Sequence, residues 1–116
     1  MIREVRTTNV LEEGQHEGVI VAVEERKTEQ GYEYIDVHIE SKDTKTKTSF
    51  SDYLSNNSAL GQLLIRFGHD LEEGGKIEID KCLIGKKCVF SVINNSNKKD
   101  GKTYANILNE TLRPVK

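Results

Sequence analysis

The strongest constraint in this chain is a change of apolar rhythm. A two-residue alternation runs through most of it, and a 3.6-residue period replaces that alternation once, near the middle. The clearest alternating run is Tyr32–Glu40 (YEYIDVHIE), where Ile35, Val37 and Ile39 share one face and Tyr34, Asp36, His38 and Glu40 the other. That is the pattern of a strand with one side in a core and one side wet. Glu17–Glu25 before it is a β-rich apolar run, with Gly14 and Gly18 placed to bend or bulge it. Polar Arg26–Gly31 reads as the hairpin loop between them. After a turn at Ser41–Thr44, Lys45–Leu54 alternates again, with Lys45, Lys47, Ser49, Ser51 and Tyr53 on its outward side and Thr46, Thr48, Phe50, Asp52 and Leu54 opposite.

The rhythm then switches. Leu60, Leu63, Leu64, Phe67 and Leu71 recur at helical spacing behind the capping residues Asn56, Asn57 and Ser58. This predicts a helix over about Ser58–Phe67, its apolar stripe buried and Gly68 ending it in a left-handed cap. Gly61 sits inside that helix at a cost of about 1 kcal/mol against Ala, which a close approach by another element would explain. Leu71–Asp80 is an acidic, Gly-rich connector with a short strand expected at Lys76–Ile79. Lys86–Ile93 and Thr103–Leu112 complete the strands around the turn Asn94–Lys102.

Three strands, one helix and two strands is the element order of the OB-fold, a five-stranded antiparallel Greek-key barrel whose helix lies between strands three and four. At 116 residues the chain is expected to be one such domain, with residues 1–10 as an arm or first half-strand and 113–116 as a short tail. No apolar run approaches the ~18 residues of a membrane span, and the N-terminus lacks a signal-peptide core, so a cytoplasmic protein without membrane contact is expected.

Chemistry-bearing motifs are sparse. Cys82 and Cys88 are too few for a zinc site and sit in apolar runs, where a free thiol behaves as a small hydrophobe. His16, His38 and His69 are isolated, and His69 beside Gly68 suits a helix C-terminus. The pairs Glu12-Glu13, Glu24-Glu25 and Glu72-Glu73 are adjacent, which in a strand sends the two carboxylates to opposite faces. No phosphate-binding glycine loop is present. A non-enzyme is expected, with no cofactor, no metal and no small-molecule substrate.

Certain glycine and apolar positions carry a resemblance. They are Leu11-x-x-Gly14-x-x-x-Gly18-x-Ile20, Gly31-Tyr32-x-Tyr34, Leu60-x-x-Leu63-Leu64, Leu83-x-Gly85-Lys86-x-Cys88-x-Phe90-x-Val92 and Gly101-Lys102-x-Tyr104. Over about residues 11–113 the chain resembles small phage and prophage proteins, with prokaryotic relatives, of replication and recombination modules. That family in turn resembles single-stranded-DNA-binding OB domains. Many of its members carry an acidic C-terminal tail, whereas this chain ends in basic Arg113-Pro114-Val115-Lys116.

Charge and aromatic placement fit that expectation. Residues 1–40 carry four basic and ten acidic groups, and residues 81–116 carry eight and two, although the net charge is only −2. One basic face for a polyanion is one reading; charges mixed into an ordinary solvated surface is the other. An OB barrel holds single strands across its second and third strands and flanking loops, stacking bases on aromatics and lining the backbone with cations. The expected interface comprises Tyr34 and His38 on the second strand, Lys45, Lys47 and Tyr53 on the third, Arg26 and Lys27 in the first loop, and Lys98, Lys99, Lys102 and Tyr104 around the last. Stacking falls to Tyr34, Tyr53 and Tyr104, and phosphate contact to the cations. The expected partner is single-stranded DNA, with RNA as the other candidate strand. There is no Trp and aromatics are 6%, so the platform is thin. The alternative is a protein-interaction domain on the same scaffold, assembling as a homo-oligomer through an exposed edge strand or between acidic and basic faces.

Overall fold

The computed structural model describes residues 11–42, 44–96 and 103–115. Strand β1 (Gly14–Lys27) is followed by β2 (Glu33–Ser41) and β3 (Thr44–Ser51), then helices α1 (Ala59–Arg66) and α2 (Ile79–Leu83). Strands β4 (Lys87–Ser96) and β5 (Thr103–Ile107), a 3-10 turn at Asn109–Thr111 and a two-residue β6 (Arg113–Pro114) complete it. One antiparallel sheet runs β3-β2-β1-β4-β5, and β6 also pairs with β4.

The sheet is built around a shared first strand. The N-terminal part of β1 pairs with β4, from Gly14↔Val92 to Val19↔Lys87, and its C-terminal part pairs with β2, from Val19↔Glu40 to Lys27↔Glu33. The changeover is where β1 lies closest to the end of β2. A Cβ on Gly18 would stand 2.7 Å from the Glu40 carbonyl oxygen and 2.8 Å from Ile39 Cγ2, so only glycine fits. A bulge at Val21 follows, between Ile20 and Ala22, adding bend where the strand changes partners.

The inward face read from β2 is observed, while Asp36 on the opposite face is also buried. Ile35, Val37 and Ile39 are buried with Ile20, Phe50, Phe90 and Val92 in one core. Helix α1 lays Leu60, Leu63 and Leu64, all fully buried, over that core. Truncating any of the three to Ala removes about 2–5 kcal/mol. Ser58 caps the helix by accepting from the Gly61 N–H at 3.0 Å. Gly68, at φ +89°, ends it: its N–H donates to the Ile65 carbonyl and that of His69 to the Leu64 carbonyl, the two hydrogen bonds of a Schellman cap. Gly61 has the neighbour its position called for, since a Cβ there would fall on the Ser55 carbonyl.

Four details depart from expectation. The sheet is open: among the described residues no backbone ladder joins β3 to β5, and the expected barrel closure is not formed by strand pairing. A side chain bridges the gap instead, with Asn109 Nδ2 donating to the Ser49 carbonyl at 3.0 Å and the Thr48 hydroxyl donating to Asn109 Oδ1. The short strand expected at Lys76–Ile79 is absent, and a turn of helix begins at Ile79. There Ile79, Cys82 and Leu83 recur at helical spacing and turn onto the core, with Leu83 fully buried. β3 ends at Ser51, so Leu54 is not inward but 38% exposed. β5 ends at Ile107, because Thr111 closes a tight turn by donating to the Leu108 carbonyl at 2.6 Å and accepting from the Ser91 N–H at 2.9 Å.

Arg66 ties this turn to the helix, donating from Nε to the Leu112 carbonyl at 2.7 Å and from Nη2 to that of Asn109 at 3.0 Å. Cys88 is a buried core residue, Cys82 is half-buried, and both thiols are free. No helix among the described residues is long and apolar enough to cross a membrane.

Candidate nucleic-acid interface

The solvent side of β1, β2 and β3 is ordered in cross-strand rows. Register sets Arg26 opposite Tyr34 and Tyr34 opposite Ser51; Glu24 opposite Asp36 and Asp36 opposite Ser49; Ala22 opposite His38 and His38 opposite Lys47. A last row pairs Glu40 with Lys45. Tyr34, His38, Lys45 and Lys47 therefore share the face expected of them.

Arg26 joins them by a route the sequence reading missed. It lies in β1 rather than in the hairpin loop, because β1 continues to Lys27 and the loop is only Thr28–Tyr32. That loop is held by Thr28, whose N–H donates to the Tyr32 carbonyl at 2.8 Å and whose hydroxyl accepts from the Tyr32 N–H at 3.1 Å. The bulge at Val21 shifts the alternation after Ile20, so Ala22, Glu24 and Arg26 stand on the solvent face although they share the sequence parity of buried Ile20. The same alternation sends Lys27 to the opposite side of the sheet, with Val23 and Glu25, away from Arg26.

Asp36 organises the centre of this face. Its side chain is only 5% exposed, and Arg26 Nε donates to Oδ2 at 2.9 Å while the Ser49 hydroxyl donates to Oδ1 at 2.6 Å. Lys47 Nζ stands 4.0 Å from Oδ2. Burial alone pushes the Asp36 carboxyl up; the hydrogen bonds of Arg26 and Ser49 and the charges of Arg26 and Lys47 outweigh it and hold the group below its ordinary value. Its chief partner is the arginine of β1, with the lysine of β3 at the longer distance. Arg26 also lies over Tyr34, with Cζ 4.9 Å from the ring centroid. His38 Nε2 is 3.6 Å from Glu24 Oε2.

The face is thus balanced: Arg26, Lys45 and Lys47 stand among Glu24, Asp36 and Glu40. It is not a continuous positive groove. Tyr53 does not belong to it, since it follows the end of β3 and is 69% exposed beside a separate hollow. Tyr32, 64% exposed, stands at the Tyr34 end of the face, where Tyr32, Tyr34, Ser51 and Asp52 line a shallow hollow of about 330 Å³. Glu33 and Asp52 meet there, and their shared hydrogen bond raises the Glu33 carboxyl. Lys98, Lys99 and Lys102 lie outside the described residues, and of Tyr104 only the backbone is described, paired with Asn95.

Two acidic hollows lie elsewhere. One of about 570 Å³ runs between Tyr53–Asn57 and Asp70–Ile77, and one of about 360 Å³ is lined by Val23, Glu24, Glu25, Ile35 and Ile77–Asp80. Ile77 lines both, so they adjoin, and Leu54, Leu71, Val23 and Ile35 are among the other apolar residues that line them. Among the described residues no group of three or more His, Cys, Asp or Glu is arranged to hold a metal ion.

No family model matches the chain, and none of the curated proteins matches it.

Proposed function

We propose that this protein is a non-catalytic, OB-like module that binds single-stranded nucleic acid, DNA foremost, as an accessory to replication, recombination or repair. The observation that carries the reading is the row Arg26–Tyr34 with Lys47 and Lys45 beyond it, an aromatic and cations on one accessible sheet face. The sheet order β3-β2-β1-β4-β5, with a helix following β3, is also that of an OB barrel before its last edges meet. DNA is placed ahead of RNA on the resemblance to replication and recombination proteins. Between β4 and β5 the sequence carries Lys98, Lys99 and Lys102 together with Asp100, and these lysines are the further cations the reading assigns to phosphate contact.

Because the face carries as many carboxylates as fixed cations, binding is modest, and each phosphate contact it makes adds about −0.7 to the log–log salt slope. Anisotropy of labelled oligo-dT at low and moderate salt tests the reading. Lys45/Lys47→Glu and Lys98/Lys99/Lys102→Glu should each weaken binding at least tenfold; absence of binding at low salt, or indifference to both variants, overturns it.

The adjoining acidic hollows favour a second reading, a protein-interaction domain that receives a basic segment. Light scattering over a concentration series separates the two: assembly without oligonucleotide binding supports the interaction domain.

A further inference from the structure

An aromatic on this face would ordinarily be the surface on which a base stacks. Tyr34 is poorly placed for that. It is half-buried, and the Arg26 guanidinium already lies over its ring. Arg26 is the more exposed of the two, its side chain 43% accessible. Its edge is held on both sides of the buried carboxylate, Nε to Asp36 Oδ2 at 2.9 Å and Nη2 to Asp36 Oδ1 at 3.4 Å, with Ser49 Oγ also 3.4 Å from Nη2.

We infer that Arg26, laid on Tyr34 and locked by Asp36, is itself the platform that stacks an unpaired base of a single strand. The inference rests on the nucleic-acid reading above and deepens it. A guanidinium is planar, delocalised and weakly hydrated, so it stacks on π faces from either side, and bases are held on such planes as they are on aromatic rings. Asp36 offsets its charge and removes its rotational freedom before any ligand arrives. Asp36 is a positioning residue here, since its own carboxylate is shut away from the face. Phosphate attraction is left to Lys47, Lys45 and the other cations, so affinity and salt dependence should separate by residue.

The experiment compares Arg26→Lys, Asp36→Asn and Lys47→Gln with the parent chain. The probes are labelled oligo-dT and a strand of equal length made abasic, each titrated across a salt series, with thermal melting as the control for folding. Arg26→Lys keeps the charge and loses the plane; it should bind oligo-dT about tenfold more weakly, inside the range for one stacked base, with its salt slope unchanged. The same variant should bind the abasic strand as the parent does. Lys47→Gln should flatten the salt slope by about 0.7 on both strands. Asp36→Asn should weaken oligo-dT binding in the same direction as Arg26→Lys.

If the parent fails to bind either strand at low salt, the nucleic-acid reading itself fails and takes this inference with it. If the parent binds and Arg26→Lys matches it, or loses equally on the abasic strand, the platform is not Arg26 and the broader reading stands. Tighter binding by Asp36→Asn would make Asp36 a competitor for Arg26 and overturn the positioning role.

Discussion

Asn109 and Ser49 are 60 residues apart in the chain and joined by one bond: Asn109 Nδ2 donates to the Ser49 carbonyl at 3.0 Å. The Asn109 carbonyl side accepts from Thr48, so one carboxamide spans β3 and the turn after β5 with both of its ends. The open flank of the sheet is held there by a side chain rather than by a ladder.

Asn109→Ala should therefore cost about 1–3 kcal/mol, since it leaves the buried Thr48 hydroxyl without this partner as well as losing the bond to Ser49. Urea unfolding measures it. A loss under about 0.3 kcal/mol would mean that the flank is held by packing alone.

Gly61→Ala should destabilise the fold in spite of alanine's advantage in helices of about 1 kcal/mol, because the new methyl meets the Ser55 carbonyl. Gly68→Ala should cost about 1 kcal/mol for a different reason, the left-handed φ of +89° at the cap. Thermal melts of both variants, with an exposed Gln62→Ala control in the same helix, check this.

The Asp36 carboxyl is held below its ordinary value of 3.8 in the folded protein. A group of that kind binds its proton more readily when unfolded. Its contribution is present in full above 3.8 and is lost as pH falls through the lower folded value. Stability measured from pH 5 downward should fall less steeply in Asp36→Asn than in the parent. Equal slopes would show that other carboxylates set the acid limit.

Burial pushes the Cys88 thiol up to about 11, and the Gly18 backbone bond offsets only part of that. Burial and the nearby charges of Asp80 and Glu78 raise Cys82 as well. Both should react slowly with a thiol reagent at neutral pH, where the nucleophile is the thiolate. Cys82, half-buried, should label first, and Cys88 only at the rate at which the protein opens. Rapid labelling of Cys88 in the folded state would contradict its place in the core.

The parts of the fold legible in the sequence are those built on local repetition. Ile35, Val37 and Ile39 announce an inward face by position alone, and Leu60, Leu63 and Leu64 announce a helix stripe in the same way. Ser58 and Gly68 mark its ends because capping is a contact between near neighbours. Residues that depend on distant partners were less legible. Tyr53 looked like a member of the β3 face, but the strand stops at Ser51; Arg26 looked like a loop residue, but β1 runs past it. Lys76–Ile79 looked extended, but the apolar spacing of Ile79, Cys82 and Leu83 turns the chain into a helix where the core can receive it.

Sequence alone therefore determined the inward apolar positions of β2 and α1, where the period changes and where the helix after β3 begins and ends, because each of these follows from spacing within a few residues. Tertiary structure alone decided that Asp36 claims Arg26, that Arg26 covers Tyr34, and that Asn109 rather than a strand ladder bridges β3 to the turn after β5. Those contacts depend on cross-strand register and on the path of a bent first strand. Each is a choice among several nearby charged or polar partners that only the folded arrangement can make.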